Sequence, residues 1–478
     1  MKKMDKEKLI FCSLLLITFF TAATIALISC GGGGGGGGSA STGTVTTTIT
    51  DPPVCQTPNG PFMSVWVTIT RVRAHTSSDA NSNDAGWVDL VDLRDNPRQI
   101  DLLNLSSTSC LLTQLGSKSG IPTGKYQQMR LYLLSNSPAG SEKTPQNNQC
   151  DDGYNCVVLA SDPDLTKMLL LSSEANTGIK IPPGQISGGG LTVLADQTVD
   201  LNIDFDACTS IIQQNNGQYR LKPTLRAAEV SVVNKSWISG RVIDKVTGNP
   251  IPNAIVMLET KDSTGIDRVF SQVRTDSVGV FVSCPLPSGT TSYDVVAAAK
   301  TATVTYKATI TLQVPVDKDM GDIPLVVGGT PATISGQVTT TNVTSAPTSE
   351  DVQLSALQSV SVTGVTPFLA TIPLFDANST PIVVATQTGS SCPIGTDCAD
   401  YTLTVPANNH QAGLFKVSPP TSYTTPAGDV KYLVEARAFV SNNDSLPTCS
   451  PNFIFSSEVN VTVNPATTGV NFSFEGCQ

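Results

Sequence analysis

The chain has 478 residues, of which only 14% are Asp, Glu, Lys or Arg, and a formal net charge of −10. That balance argues against a nucleic-acid partner and against electrostatic docking on anionic lipid, because both need a basic patch. Thr, Ser, Val, Gly and Pro dominate and amphipathic helical patterns are scarce, so the expected fold class is all-β, multi-domain and built of short strands.

In chain order, Lys2, Lys3, Lys6 and Lys8 precede an apolar run from Leu9 to Ile28, then Ser29, Cys30 and eight glycines, Gly31 to Gly38. This segment resembles a bacterial lipoprotein signal peptide, residues 1–29, cut before Cys30. The resemblance implies lipid on Cys30, a glycine-rich tether over residues 30–43 and a place in the bacterial cell envelope. Gly31 after the cysteine, rather than Asp, implies the outer membrane, with the leaflet left open. The membrane is thus the expected partner through the lipid, and envelope proteins or polysaccharide are the other candidates. An apolar run of about twenty residues also suffices for a transmembrane anchor. A glycine tract, however, continues such a helix poorly and carries no stop-transfer charge.

Beyond Cys12 and Cys30 there are ten cysteines, and an even number in an exported chain reads as disulfides. Cys150/Cys156 and Cys392/Cys398 share the spacing C-x5-C and are expected to staple short loops. Cys449–Cys477 is expected further along. Cys208–Cys284 is offered on parity, because residues 44–233 hold five cysteines and only Cys284 falls between 234 and 328. With no C-x2-C and no C-x-x-C-H, neither zinc nor covalent haem is expected.

Residues 44–233 form the first unit. Its strand candidates include Val65–Ile69, Trp87–Val91 and Met129–Leu133. Another, Val199–Asp206, alternates strictly, with Leu201, Ile203 and Phe205 on one face and Asp200, Asn202, Asp204 and Asp206 on the other. Such a row of carboxylates repels itself, which Ca²⁺ would relieve, so Asp200, Asp204 and Asp206 are the weak metal candidate. Because the row spans about 20 Å of extended chain, a solvated sheet face is the preferred reading. Several collinear blocks carry a family likeness: Thr48-Ile49-Thr50-Asp51, Trp66 to Val72, Ile100 to Leu105, Ile121 to Leu131, Gly178-Ile179-Lys180, Asp204-Phe205-Asp206 and Tyr219 to Pro223. Together they resemble the bacterial domain of unknown function 4382 (DUF4382) family. That likeness implies an exported β-rich domain, often lipid-anchored, with no established activity and no disulfide pattern to carry over.

The second unit, 234–328, runs from Trp237-Ile238-Ser239-Gly240-Arg241-Val242 through Gly248 to Val256 and Thr275 to Phe281, closing at Gly321-Asp322-Ile323-Pro324-Leu325. It is similar to carboxypeptidase regulatory-like domains, which implies an accessory transthyretin-like β-sandwich and no peptidase. Ile238, Val242, Ile255 and Phe281 are its expected core. The third unit, 329–478, reads as a diverged second copy. Ile334-Ser335-Gly336-Gln337-Val338 repeats residues 238–242, Gly413-Leu414-Phe415 matches Gly279-Val280-Phe281, and Gly428 precedes Tyr432 as Gly289 precedes Tyr293.

Chemistry is sparse. The two histidines, His75 and His410, read as surface loop residues, and H-E-x-x-H, G-x-S-x-G, the P-loop and the Rossmann spacing are all missing. Gly188-Gly189-Gly190 reads as a loop. Trp66 is expected to cover a loop or a second layer rather than stack on a sugar, and Trp237 to pack between units. No catalytic, cofactor or ligand-binding residue emerges. The reading is a non-catalytic, lipid-anchored envelope protein with a structural or adhesive role, the alternative being a polysaccharide-binding surface lipoprotein.

Overall fold

The computed structural model of the protein describes residues 41–478 except 51–61, 79, 106–111, 172–173, 182–184, 206, 214–216, 222–224, 232–235, 349, 378–379, 419, 439–448, 450 and 478. The described chain is overwhelmingly β-strand. Cys30 and the glycine tract lie outside the described residues, as do Cys55, Cys110 and Asp206.

In the first unit, β1 (Thr42–Thr50), β2 (Phe62–His75), β3 (Thr113–Pro122), β4 (Gln128–Leu133), β5 (Thr198–Phe205) and β6 (Leu225–Glu229) form the two main layers. One sheet has the order β6-β5-β1-β3, with β1 and β5 parallel. The other is built on the long β2, which pairs with β4 and with three shorter strands. Leu201, Ile203 and Phe205 are all fully buried in the core between these sheets, as strict alternation requires.

The second unit contains β7 (Ser236–Asp244), β8 (Ile255–Lys261), β9 (Asp267–Arg274), β10 (Val280–Leu286), β11 (Ser292–Ala298), β12 (Thr309–Pro315) and β13 (Lys318–Leu325). Sheet β10-β7-β13 faces sheet β12-β11-β8-β9. Ile238, Val242, Val256, Leu258, Phe281, Val295 and Ile323 fill the space between them. Within the third unit are β14 (Ala332–Asn342), β15 (Asp351–Val360), β16 (Phe368–Thr371), β17 (Asp397–Val405), β18 (Gln411–Leu414), β19 (Lys431–Ala438) and β20 (Phe472–Cys477).

The duplication is visible in the pairing. Strand β7 lies between antiparallel β10 and parallel β13, and β14 lies between antiparallel β17 and parallel β20. Strand β8 pairs with β9 and β11 as β15 pairs with β16 and β19. Tyr293 and Tyr432, matched by their spacing from a left-handed glycine, are both buried. One sequence match fails. Phe281 sits opposite Gly240, but the residue opposite Gly336 is Tyr401, and Gly413-Leu414, with Phe415 just beyond, ends β18, a strand with no counterpart among the described residues of the second unit. A three-residue match could not distinguish an inserted strand from a duplicated one.

The two sandwiches are not consecutive spacers. Strand β16 adds in parallel to the β9 edge at Asp267↔Ala370, and β18 adds in parallel to the β12 edge over Thr309–Leu312. The central sheet of the second unit therefore continues into the third unit on both sides. Its second face is covered as well: Ile255, Met257, Val296, Ala298, Ile310 and Leu312 share one core with Ile334, Val338, Leu354, Leu403 and Val434. Each such large side chain buried is worth about 1.5–3 kcal/mol, so the two units are one three-layered body. Among the described residues, Arg226 Nη1 to Phe270 O (3.0 Å) and Ser288 N to Glu229 O (2.7 Å) tie the first unit to the second.

Candidate functional site

The acidic row on β5 is not a solvated face. It runs beside the threonines of β1 in parallel register, Thr46↔Asp200, Thr48↔Asn202 and Thr50↔Asp204. The Thr48 hydroxyl donates to Asn202 Oδ1 (3.0 Å) and Asn202 Nδ2 donates to Thr50 Oγ1 (2.9 Å). Asn202 is buried, while Asp200 and Asp204 are half-buried. A polar ladder between two strands explains these residues without an ion, and Asp206 lies outside the described residues.

A second polar feature belongs to β4, where Gln128 and Arg130 are both fully buried. Arg130 donates from Nη1 to Thr177 O (2.8 Å), from Nη2 to Ala80 O (3.3 Å) and from Nε to Gln128 Oε1 (3.1 Å). Gln128 Nε2 in turn donates to Ser78 O and Ala80 O. The centroid of the Trp87 ring lies 5.2 and 5.4 Å from the guanidinium carbons of Arg73 and Arg130. These bonds tie the loop after β2, through Ser78 and Ala80, and the segment at Thr177 to β4, so the arrangement is a latch.

The third feature was not legible as a site in the sequence. Where β8 leaves the apolar run Ile255–Leu258, it places Glu259 and Lys261 on the face that turns toward the third unit. Glu259 is opposite Asp294 of β11, and Lys261 is opposite Asp267 of β9. Lys261 Nζ donates to Asp267 Oδ1 (2.8 Å) and to Asp294 Oδ2 (2.9 Å), and it lies 3.5 Å from the centroid of the Phe368 ring. Gln313 N donates to Asp294 Oδ1, and Thr371 Oγ1 donates to the backbone oxygen of Asp267. Burial, then the neighbouring Asp294, pushes Asp267 up to about 8. Burial, then Asp267 and Asp294, holds Glu259 well above the usual carboxylate range. For Lys261 burial works downward, but the hydrogen bonds to the two aspartates outweigh it and the ammonium is favoured. Beside this cluster, Arg268 forms a two-pronged pair with Glu435 of β19. The signal that could have found it is an acid set inside an apolar strand, as in Tyr293-Asp294-Val295.

The latch residues Gln128 and Arg130 fall in the block that carried the family likeness. Residues 42–223 match the domain of unknown function DUF4382. Residues 237–326 match the carboxypeptidase regulatory-like domain. No curated protein matches the chain. Among solved structures, the Bacillus anthracis TIE protein is similar at 10% identity and a TM-score of 0.16, over 91% of this chain and 50% of that one, so this chain spans half its length. Shaft pilin SpaA from Lactobacillus rhamnosus GG is similar at 11% identity and a TM-score of 0.17, over 60% of this chain and 98% of the pilin. A streptococcal ancillary pilin gives 10% identity and 0.16, over 81% and 96%. These scores are too low for a shared overall fold.

In the DUF4382 domain Cys150 and Cys156 are bonded, as are Cys392–Cys398 and Cys449–Cys477 in the third unit. Cys284 is disulfide-bonded too, whereas the Cys208 side chain is outside the described part. Glu350, Cys449 and Cys477 gather at metal-ligand spacing, yet both sulfurs are committed to their disulfide. Trp66 of the DUF4382 domain is half-buried on β2, and Trp237 is half-buried with its backbone bonded to Asp317 of its own unit.

Neither histidine is a surface loop residue. His75 ends β2 in the DUF4382 domain, its ring tilted against Trp87 at 5.2 Å between centroids, with Ser77 N donating to Nδ1. His410 is buried, its Nδ1 bonded to Gln358 Oε1 at 2.9 Å. Since that glutamine oxygen only accepts, Nδ1 carries the proton, and charging the ring would add an N–H at Nε2, which has no hydrogen-bond partner. Burial, then Lys307, lowers His410 to about 4. The unfolded chain therefore binds the extra proton first. Stability should fall by up to about 3 kcal/mol as pH drops from about 6.5 to 4, and His410→Gln should flatten that part of the profile. Urea midpoints across this range check it; parallel profiles for the two proteins would contradict the assignment.

Proposed function

We infer that the protein is a non-catalytic envelope protein, lipid-anchored through Cys30 and acting in cell-surface architecture or adhesion. The observation that supports this reading most is the shared sheet and shared core of the second and third units. That construction resists relative motion of the two sandwiches, which suits display or force transmission. The leader ending at Cys30 supplies the attachment, and the outer membrane is the proposed location. Among the described residues no helix is long and apolar enough to cross a membrane.

The test is expression of the full chain with a metabolic lipid label. Label should enter the wild type and be absent from Cys30→Ala, and cells with residues 44–233 deleted should lose surface attachment or matrix retention. Deleting residues 329–478 would be a poor control, because it strips one face of the second unit's sheet. Unlabelled wild type would remove the anchor from the reading. Unchanged attachment without the DUF4382 domain would remove the adhesive role.

A further inference from the structure

A salt bridge alone does not account for the cluster at the end of β8. It brings three carboxyl groups around one ammonium, and Glu259 is fully buried with neither carboxyl oxygen meeting a donor at full hydrogen-bond geometry. Asp267 is likewise fully buried, and its Oδ2 meets no donor, the neighbouring acid being the Asp294 carboxyl. Lys261 Nζ is within 2.8 Å of the other Asp267 oxygen, capped by the Phe368 ring. The Lys261 stem is exposed, which leaves a released water a way out.

We propose that Lys261 and Asp267 are a self-modification site at which Nζ condenses with the Asp267 side-chain carboxyl to give an amide across the β8–β9 hairpin. The neutral acid is the electrophile. One ammonium proton passes to the Asp294 carboxylate, the freed amine attacks Asp267 Cγ, and a second nitrogen proton joins the departing hydroxyl. A C–N bond forms, a C–O bond breaks and one water leaves. The third proton stays on the amide, and Asp294 ends protonated. No oxidant, metal or activated donor is consumed. Burial favours the step, since it disfavours the charged acid and aligns the reacting atoms. Glu259, held neutral behind Asp294, adds no negative charge to repel the developing oxyanion. The product would staple the hairpin that carries the seam between the second and third units.

Trypsin reads the bond directly. Lys261 separates peptides 246–261 and 262–268, so a chain with the amide gives one uncut peptide 246–268, lighter than its sequence by one water. The purified full chain, denatured and digested, is expected to show that species, with fragmentation silent between 261 and 267. Lys261→Arg keeps the ion pair but should be cut after position 261 at its unmodified mass, as should Asp267→Ala at its own. Asp267→Asn should give the wild-type cross-linked mass, with ammonia leaving instead of water. Two free peptides from the wild type at unmodified mass would overturn the proposal whatever the variants do. So would a water loss that fragmentation places on another residue.

Discussion

Gly336→Ala is expected to destabilise the folded chain by about 4 kcal/mol, read as a lowered urea midpoint with unchanged slope. A methyl on Gly336 would stand 1.9 Å from the backbone oxygen of Val470, far inside contact distance. Val470 cannot retreat cheaply. Its N–H donates to Ser335 O, and its oxygen accepts the Tyr401 hydroxyl at 2.5 Å. Moving that carbonyl would break a part-buried bond and shift the start of β20. Thr402→Ala, on the exposed face of β17, should stay within about 0.5 kcal/mol. A loss below about 1 kcal/mol for Gly336→Ala would mean that this close approach does not organise the third unit.

Arg130→Ala is expected to cost a similar amount, about 4 kcal/mol, by a different route. The substitution removes the N–H that Thr177 O accepts and one of the two that Ala80 O accepts, and it withdraws one of the two guanidinium groups beside Trp87. Arg130→Lys should recover only part of the loss, because an ammonium cannot present the planar fork that reaches the Gln128 side chain and two separate carbonyls at once. Limited proteolysis between 76 and 87 should accelerate in both variants. Equal stability of wild type and Arg130→Ala would contradict the latch.

Much of the architecture was readable from local pattern. Alternation at Val199–Phe205 gave the buried face of β5, turn glycines and short β-rich runs gave the fold class, and Ile-Ser-Gly-x-Val occurring twice gave the duplication. Those features depend on the chain's own period of two and on conformations open to glycine, so they survive without knowledge of neighbours. The two-faced burial of the central sheet also left a trace, since Ile255–Leu258 and Val295–Ala299 are continuous apolar runs rather than alternating ones.

What covers the second face was not in those runs. Pairing of β16 with β9 and of β18 with β12 joins residues about a hundred positions apart, and no local rule ranks such partners. The same holds for His410, an ordinary polar residue in sequence that tertiary packing seals beside Gln358. It holds above all for Glu259, Lys261, Asp267 and Asp294. Each is a common charged residue taken singly, and only sheet register sets them opposite one another. The sequence by itself determined many of the strands, the turns and the repeat, because these follow from short-range sterics and hydrophobic period. Tertiary structure alone decided which charges lose their water, because desolvation depends on every element packed around them.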